Sequence, residues 1–156
     1  MAYMVPFSLA LKPDEVEKVN FRGLILSDER DIPDDSYQFQ EWYCPNLDCD
    51  CFQGLLEVFG IQQKSFAARV YVPFDPARAP FLDPVYPVTP TALALLDVIT
   101  EHLRGDPAYR KRLRDHYWLV RSVATDPNHP AYPTLVDWAT NGPPTTSVTK
   151  PKRKRH

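Results

Sequence analysis

The chain has few glycines and no long apolar run, and these absences exclude several classes of protein. The five glycines among its 156 residues are dispersed and form neither a P-loop nor a dinucleotide-binding fingerprint. The Gly-x-Ser-x-Gly and His-Glu-x-x-His motifs are absent, as is the His-x-Glu and Pro-Cys-x-x-Cys pair of zinc deaminases. No stretch approaches the roughly 20 apolar residues of a membrane span. We therefore expect no membrane partner and favour a non-enzymatic protein.

Secretion is also not indicated. The N-terminal sequence MAYMVPFSLALKPDEVEK has no basic region before its short apolar run, so a secretory signal is not predicted. Three cysteines are a poor disulfide framework, and close spacing in a reducing compartment favours metal or redox chemistry. We expect a cytoplasmic, soluble protein.

Charge is divided unevenly along the chain. Residues 1–60 carry twelve acidic and four basic side chains, whereas residues 61–156 carry eight acidic and fourteen basic ones. The two parts can attract each other within the fold, or the basic part can meet a polyanion.

The first half reads as β-structure. Four segments have the length and alternation of strands: FRGLILS (21–27), SYQFQEWYC (36–44), CFQGLLEVFG (51–60) and KSFAARVYV (64–72). Period-two alternation predicts two apolar faces, one with Tyr37, Phe39 and Tyr43 and one with Phe66, Ala68, Val70 and Val72. The last two segments are predicted to pair as a hairpin through a turn at IQQ.

The second half reads as helices after a proline-rich connection. Residues 73–88 hold five prolines, which exclude helix and most strand pairing. Thr89 before Pro90, and Asp106 before Pro107, are helix starts, and amphipathic periodicity predicts helices to about Gly105 and Ala124. A short third helix capped by Thr134 is also predicted.

These patterns predict a single α+β domain over residues 1–141, with an antiparallel sheet and two amphipathic helices packed on one face. Residues 142–156 have no apolar periodicity and are basic at their end, so we expect a disordered tail.

The three cysteines lie within eight positions, in the stretch CPNLDCDC. Cys44, Cys49 and Cys51 are separated by turn-forming residues that can curl the backbone and bring three thiols to one metal ion. Buried cysteines that pack as small hydrophobes, and a reactive thiol, are the alternatives. Asp48 and Asp50 disfavour a reactive thiolate unless a cation is bound between them. We therefore favour a zinc knuckle that stabilises the domain.

A fourth zinc ligand is not adjacent in sequence. His116, on the apolar face of the second helix, and His129, in the following loop, are the candidates. Either histidine can instead be a core residue satisfied by a hydrogen bond. Asp48, Asp50 or water are further possibilities, and His102 and His156 are less favourably placed.

The segment YCPNLDCDC, followed by an alternating strand, resembles a group of small uncharacterised bacterial proteins with a Tyr-Cys-x-x-Pro-x-Cys-Asp-Cys-like motif. RDHYWLVRSVA and DPNHPAYPTLVDW resemble the same group. Its members often end in a SEC-C metal-binding motif, which is absent here, and Phe52 and Gln53 stand where basic residues usually follow. The resemblance implies a small metal-binding bacterial domain and no particular activity.

Three functional hypotheses follow. The first is a non-enzymatic zinc-binding adaptor or subunit of a larger assembly with an unknown protein partner. The second is nucleic-acid or ribonucleoprotein binding through basic residues on the second helix and in the tail. Those residues are Arg110, Lys111, Arg114, Arg121, Lys150, Lys152, Arg153, Lys154 and Arg155. The third is a zinc-dependent hydrolase with an open metal position.

Overall fold

An antiparallel sheet forms the centre of the fold, as predicted, with its first five strands from the first half of the chain and a short sixth strand from the proline-rich connection. The computed structural model describes residues 1–19 and 21–144. Within these residues the sheet has six strands, ordered β1, β3, β4, β5 and β6, with β2 also paired to β3. The strands are β1 (Val5–Pro6), β2 (Gly23–Leu26), β3 (Asp35–Tyr43), β4 (Gln53–Gly60), β5 (Ser65–Pro73) and β6 (Phe81–Leu82).

One face of the sheet is buried by the alternation that the sequence predicts. Tyr37, Phe39 and Tyr43 on β3 are each at most 1% exposed, and Val70 and Val72 on β5 are fully buried. Burying each such side chain contributes about 1.5–3 kcal/mol. The period-two pattern therefore assigns the core face of β3 and most of β5 correctly.

Phe66 departs from that pattern. The pairing of β4 with β5 shifts between Val58 and Phe59, so that Val58 lies opposite Ala68 but Phe59 lies opposite Phe66. A bulge of this kind turns the following side chains to the other face of the sheet. Phe66 is consequently 53% exposed and packs edge-on against Phe59, with ring centroids 5.2 Å apart. The prediction that Phe66 shares the core face is wrong.

Two long amphipathic helices pack on the buried face of the sheet, as predicted. The helical elements are a 3-10 helix (Phe7–Ala10), α1 (Pro13–Val16), α2 (Pro90–Gly105), α3 (Pro107–Ala124) and α4 (Tyr132–Asn141). The predicted caps are confirmed, because the Thr89 hydroxyl accepts the amide of Ala92 at 3.0 Å and the Asp106 carboxylate accepts that of Tyr109 at 3.2 Å. The chain turns from α2 into α3 at Asp106.

Helix α3 contributes to two hydrophobic clusters. Its first half places Tyr109 and Leu113 in the cluster formed by the sheet and α2. Its second half places Tyr117, Val120 and Val123 in a cluster with the N-terminal segment, Tyr43 and α4. This one helix therefore joins the sheet core to the N-terminal and C-terminal elements.

The third predicted helix begins earlier than expected. Helix α4 starts at Tyr132 with Ala131 at the cap position, and Thr134 is an exposed residue inside its first turn. Pro133 lies within the first two helical positions, where its missing N–H costs no hydrogen bond. The prediction of Thr134 as a cap is therefore wrong.

Helix α4 ends at a glycine in the left-handed region. Gly142 has φ of 87° and donates its amide to the carbonyl of Trp138 at 2.7 Å. The predicted tail lies outside the described residues from position 145 onward. None of the helices within the described part of the chain is both long and apolar enough to cross a membrane.

The hairpin between β4 and β5 is held by the carboxylate of Asp35, which is 5% exposed. The carboxylate accepts the backbone amides of Gln62 and Gln63, at 2.9 and 3.1 Å, and the side-chain amide of Gln63 at 3.0 Å. Burial by itself raises the pKa of Asp35, but these hydrogen bonds outweigh it and lower the pKa below its ordinary value of 3.8.

We expect Asp35→Asn to lower the melting temperature near neutral pH and to flatten its acid dependence. A carboxylate with a lowered folded-state pKa stabilises the fold above its unfolded pKa of about 3.9, and that stabilisation is lost as pH falls through the folded pKa. Melting curves between about pH 5 and pH 2 should therefore fall more steeply for the unaltered chain than for the variant. Asp97→Asn, which changes an exposed carboxylate on α2, is the control. Parallel curves for the unaltered chain and Asp35→Asn would contradict this role.

Candidate metal centre

The three cysteines lie on a curled connection between β3 and β4, the two central strands. Asn46 shapes the curl, since its side-chain oxygen accepts the amide of Asp48 at 3.1 Å and its carbonyl accepts the amide of Cys49 at 3.1 Å. Phe52 then has φ of 44°, a left-handed conformation that redirects the chain into β4. We call residues 44–52 the cysteine loop.

The cysteine loop brings the thiols together. The sulfurs of Cys44, Cys49 and Cys51 all lie within 4.8 Å of one another, and all three cysteines are free and partly buried. Thiolates bound tetrahedrally to zinc at about 2.3 Å are about 3.8 Å apart. Side-chain adjustments of about 1 Å are thus sufficient for one metal ion to be held by all three sulfurs.

Arg121 fastens the cysteine loop to α3. Its Nε donates to the carbonyl of Cys44 at 3.2 Å, and its terminal NH2 donates to the carbonyl of Cys49 at 2.8 Å. The same NH2 group lies 3.7 Å from the sulfur of Cys51. The residue is only 2% exposed, so the prediction that it belongs to an outer basic helix face is wrong. Its charge is directed at carbonyl and sulfur acceptors, which a helical-wheel argument cannot anticipate.

Aromatic rings surround the guanidinium and the thiols. Arg121 lies over the ring of Tyr117, 4.1 Å from its centroid, and the Tyr117 hydroxyl is 3.9 Å from the sulfur of Cys51. Burial, followed by the nearby charge of Cys51, raises the pKa of Tyr117 well above its ordinary value. The ring of Phe52 lies 6.1 Å from that of Tyr117 and 6.2 Å from that of Trp118. The thiols therefore lie beside a neutral phenol and a permanent cation.

The thiols also influence one another. The hydrogen bond from the Cys51 thiol lowers the pKa of Cys44 to about 6, against the effect of burial. The same bond, together with burial, raises the pKa of Cys51 to about 12. A negative charge is therefore favoured on Cys44 near neutral pH. Arg121, 3.7 Å from the Cys51 sulfur, places a cation beside the group of thiols.

The structure does not place the candidate fourth ligands in this cluster. Among the described residues, the group of potential metal ligands at this point consists of the three cysteines, and Asp48 and Asp50 are exposed. His129 instead accepts the amide of Ala131 through Nδ1 at 3.0 Å, at the start of α4. His156 lies outside the described part of the chain.

His116 is hydrogen-bonded to a buried carboxylate. Its Nδ1 lies 2.6 Å from Oε1 of Glu41, which also accepts the hydroxyl of Tyr43 at 2.6 Å. Phe7 stacks on the imidazole with ring centroids 3.8 Å apart. Glu41 is 2% exposed, and its Oε2 has no hydrogen-bond partner among the described residues. This arrangement matches the alternative in which His116 is a hydrogen-bonded core histidine.

Sequence reasoning missed the role of Glu41, although the pattern contained a sign of it. Glu41 falls between Phe39 and Tyr43 on the alternation that defines the buried face of β3. A carboxylate at an inward position requires a polar partner, and a histidine on the apolar face of a helix is a suitable one. Joining the two observations would have predicted the Glu41–His116 contact.

The other three residues of α3 that were predicted to bind nucleic acid have a different location. Arg110, Lys111 and Arg114 line a pocket between α3 and the proline-rich connection, away from Arg121. The tail residues Lys150, Lys152, Arg153, Lys154 and Arg155 lie outside the described residues. The continuous basic strip predicted along α3 is therefore divided.

Comparisons of the chain with protein-family models, with curated proteins and with solved structures give no match. The interpretation of the site consequently rests on its geometry and chemistry.

We expect Arg121→Met to destabilise the protein by about 2–4 kcal/mol, because two partly buried carbonyl groups lose the donor that the buried guanidinium supplies. Chemical denaturation monitored by circular dichroism measures this difference. Arg114→Met removes the same charge from an exposed position two turns earlier on α3 and should change the stability by no more than about 0.5 kcal/mol. Equal stabilities of the two variants would show that the carbonyl contacts of Arg121 do not hold the loop.

Proposed function

We propose that this protein is a non-enzymatic zinc-binding adaptor, in which Zn²⁺ is held by Cys44, Cys49 and Cys51. The observation that supports this proposal is the grouping of three sulfurs within 4.8 Å on one loop. Thiolate sulfur is a preferred donor for Zn²⁺, and the ion balances charge that the thiols and nearby aspartates accumulate. A metal bound there would fix the connection between the two central strands.

The surroundings of the thiols favour a structural role over hydrolysis. Metal-assisted hydrolysis needs a base that can take a proton from bound water. The polar side chains in contact with the Cys51 sulfur are the Tyr117 hydroxyl, whose pKa is raised, and the permanently charged Arg121. Asp48 and Asp50 are exposed and lie outside the group of sulfurs. His116 and His129 lie outside the group of sulfurs and are hydrogen-bonded to Glu41 and to the amide of Ala131. Neither Tyr117 nor Arg121 is suited to accept that proton.

The adaptor role is supported by exposed apolar side chains on and beside the cysteine loop. Leu47 is 53% exposed, and Phe52 and Trp118 are each 48% exposed. Large apolar side chains that are exposed together on one part of the surface are typical of protein-binding sites, where aromatic residues are enriched. We propose that a protein partner covers this surface and would supply a fourth ligand to a metal held by the three cysteines.

Metal analysis of the purified full chain should give about one zinc ion per molecule. A site filled about a thousandfold above its Kd stabilises a fold by about 4 kcal/mol, so removal of zinc by a chelator should lower the melting temperature. Cys49→Ser and Cys51→Ser should each lose the metal. Asp48→Asn, in the same loop but outside the cluster, should retain it.

Two outcomes would contradict the zinc assignment. The first is a metal-free protein whose melting temperature ignores the chelator, as expected for ordinary buried cysteines. The second is loss of metal in a folded His116→Gln variant, which would make His116 a ligand. We expect that variant to retain zinc and to lose about 3 kcal/mol of stability, because Glu41 stays buried without its partner.

We expect Leu47→Ser combined with Trp118→Ser to abolish partner binding without loss of zinc. Both side chains are about half exposed, so the folded state should be little affected. Affinity capture with the unaltered chain, the double variant and the chelated protein measures this. Leu93→Ser, which removes a 50% exposed leucine from α2, is the matched control. A partner that the double variant retains would place the docking surface elsewhere.

A further inference from the structure

A pocket separate from the cysteines lies between the proline-rich connection and the junction of α2 with α3. Its volume is about 570 Å³, within the range of about 300–1,000 Å³ typical of small-molecule sites. It is lined by Phe74, Pro76, Ala77, Arg78, Ala79, Pro80, Thr100, Leu103, Arg104, Pro107, Arg110, Lys111 and Arg114. No cysteine lines the pocket, so it is distinct from the proposed metal site.

The lining is strongly basic. It contains five arginine or lysine side chains and no carboxylate. Arg104 is paired with Glu101, an exposed contact one turn away on α2. Within the described residues, Arg78, Lys111 and Arg114 make no ion pair. The pocket thus concentrates positive charge, and three of its five cations have no ion pair within the described residues.

Arg110 is a lining residue whose side chain is not fully hydrogen-bonded. Its Nε is buried and has no hydrogen-bond partner among the described residues. A buried donor without an acceptor costs about 1–3 kcal/mol. The nearby carboxylate of Asp75 accepts the amide of Ala77 at 2.9 Å within its own turn. Because Arg110 also lines the pocket, a phosphate bound there would add a counter-charge to its guanidinium.

The remaining walls are apolar and partly fixed by the core. Leu103 is a buried residue of the sheet cluster. The ring of Phe74 lies edge-on to that of Tyr117, with centroids 5.0 Å apart, and its backbone amide donates to the carbonyl of Phe52 at 3.0 Å. Prolines and alanines of the connection complete this surface without adding charge. A pocket lined by both cations and apolar side chains suits an amphiphilic molecule.

We propose that this pocket binds a small organic phosphate with an aromatic ring. Arg110, Lys111 and Arg114 contact the phosphate, and Phe74 and Leu103 contact the ring. Nucleic acid is the less suitable ligand, because binding to a phosphate backbone uses an extended basic strip. Here the basic residues of α3 face a concave pocket, and Arg121, which would extend the strip, is buried.

The test is calorimetric titration of the full chain with three ring-bearing phosphates: adenosine diphosphate, cytidine diphosphate and 1-naphthyl phosphate. We expect at least one of them to bind. Inorganic pyrophosphate and adenosine, which each supply half of the recognised chemistry, should bind at least tenfold more weakly. Failure of all three ring phosphates would overturn the proposal, as would equal affinity for pyrophosphate.

Three variants that each remove one positive charge test whether the phosphate binds in the pocket. Arg110→Gln and Lys111→Gln should each weaken the affinity for the best ring phosphate by tenfold or more, with circular dichroism confirming that both variants are folded. Arg30→Gln removes one positive charge from an exposed loop outside the pocket and should have no effect. Equal weakening by all three variants would indicate a nonspecific charge effect and would contradict a site in the pocket.

A mixed-sequence single-stranded oligonucleotide tests whether the pocket binds nucleic acid in preference to a small phosphate. We expect it to bind more weakly than the best ring phosphate and to be displaced by it. Tighter binding of the oligonucleotide, with equal sensitivity to Lys111→Gln, would identify the surface as a nucleic-acid interface and overturn the small-molecule proposal.

Discussion

Helix α3 is fixed against the rest of the molecule by two buried polar contacts, five residues apart. His116 meets the carboxylate of Glu41 on β3, and Arg121 donates to the carbonyls of the cysteine loop that follows β3. Apolar packing alone tolerates small shifts of a helix along a sheet, whereas these contacts require particular atoms to meet. The position of α3 determines where Tyr117 lies beside the thiols and where Arg110 and Lys111 line the pocket.

These contacts carry a cost as well as a benefit. Burying a carboxylate or a guanidinium requires the loss of its hydration, and an apolar pair of similar volume is often no less stable. Glu41 retains one oxygen without a hydrogen-bond partner among the described residues, so its desolvation is only partly offset. We infer that the main effect of the two pairs is to select one alignment of α3. Their contribution to total stability is secondary.

The sequence is informative where structure depends on neighbouring residues. Thr89 and Asp106 are recognisable as helix caps because each is directly followed by a proline. The alternation along β3 follows from strand geometry alone. The curl of the cysteine loop was likewise predicted from its turn-forming residues. The grouping of the three thiols, all within eight positions of one another, follows from that curl.

Long-range relationships were harder to predict. Phe66 was assigned to the wrong face because a bulge depends on how two strands pair, which one strand alone does not indicate. Arg121 was assigned to solvent because its acceptors lie more than 70 residues earlier in the chain. The pocket combines residues of the proline-rich connection with residues from two helices, and no single stretch of sequence contains its pattern.

Arg121 binds the cysteine loop through backbone carbonyl oxygens, which every type of amino acid possesses. The shape of the loop is therefore largely independent of the side chains at positions 44 and 49, and the loop can keep its path when a thiol is replaced. Capacity for a metal can then be gained or lost by substitutions at the cysteines without rebuilding the fold.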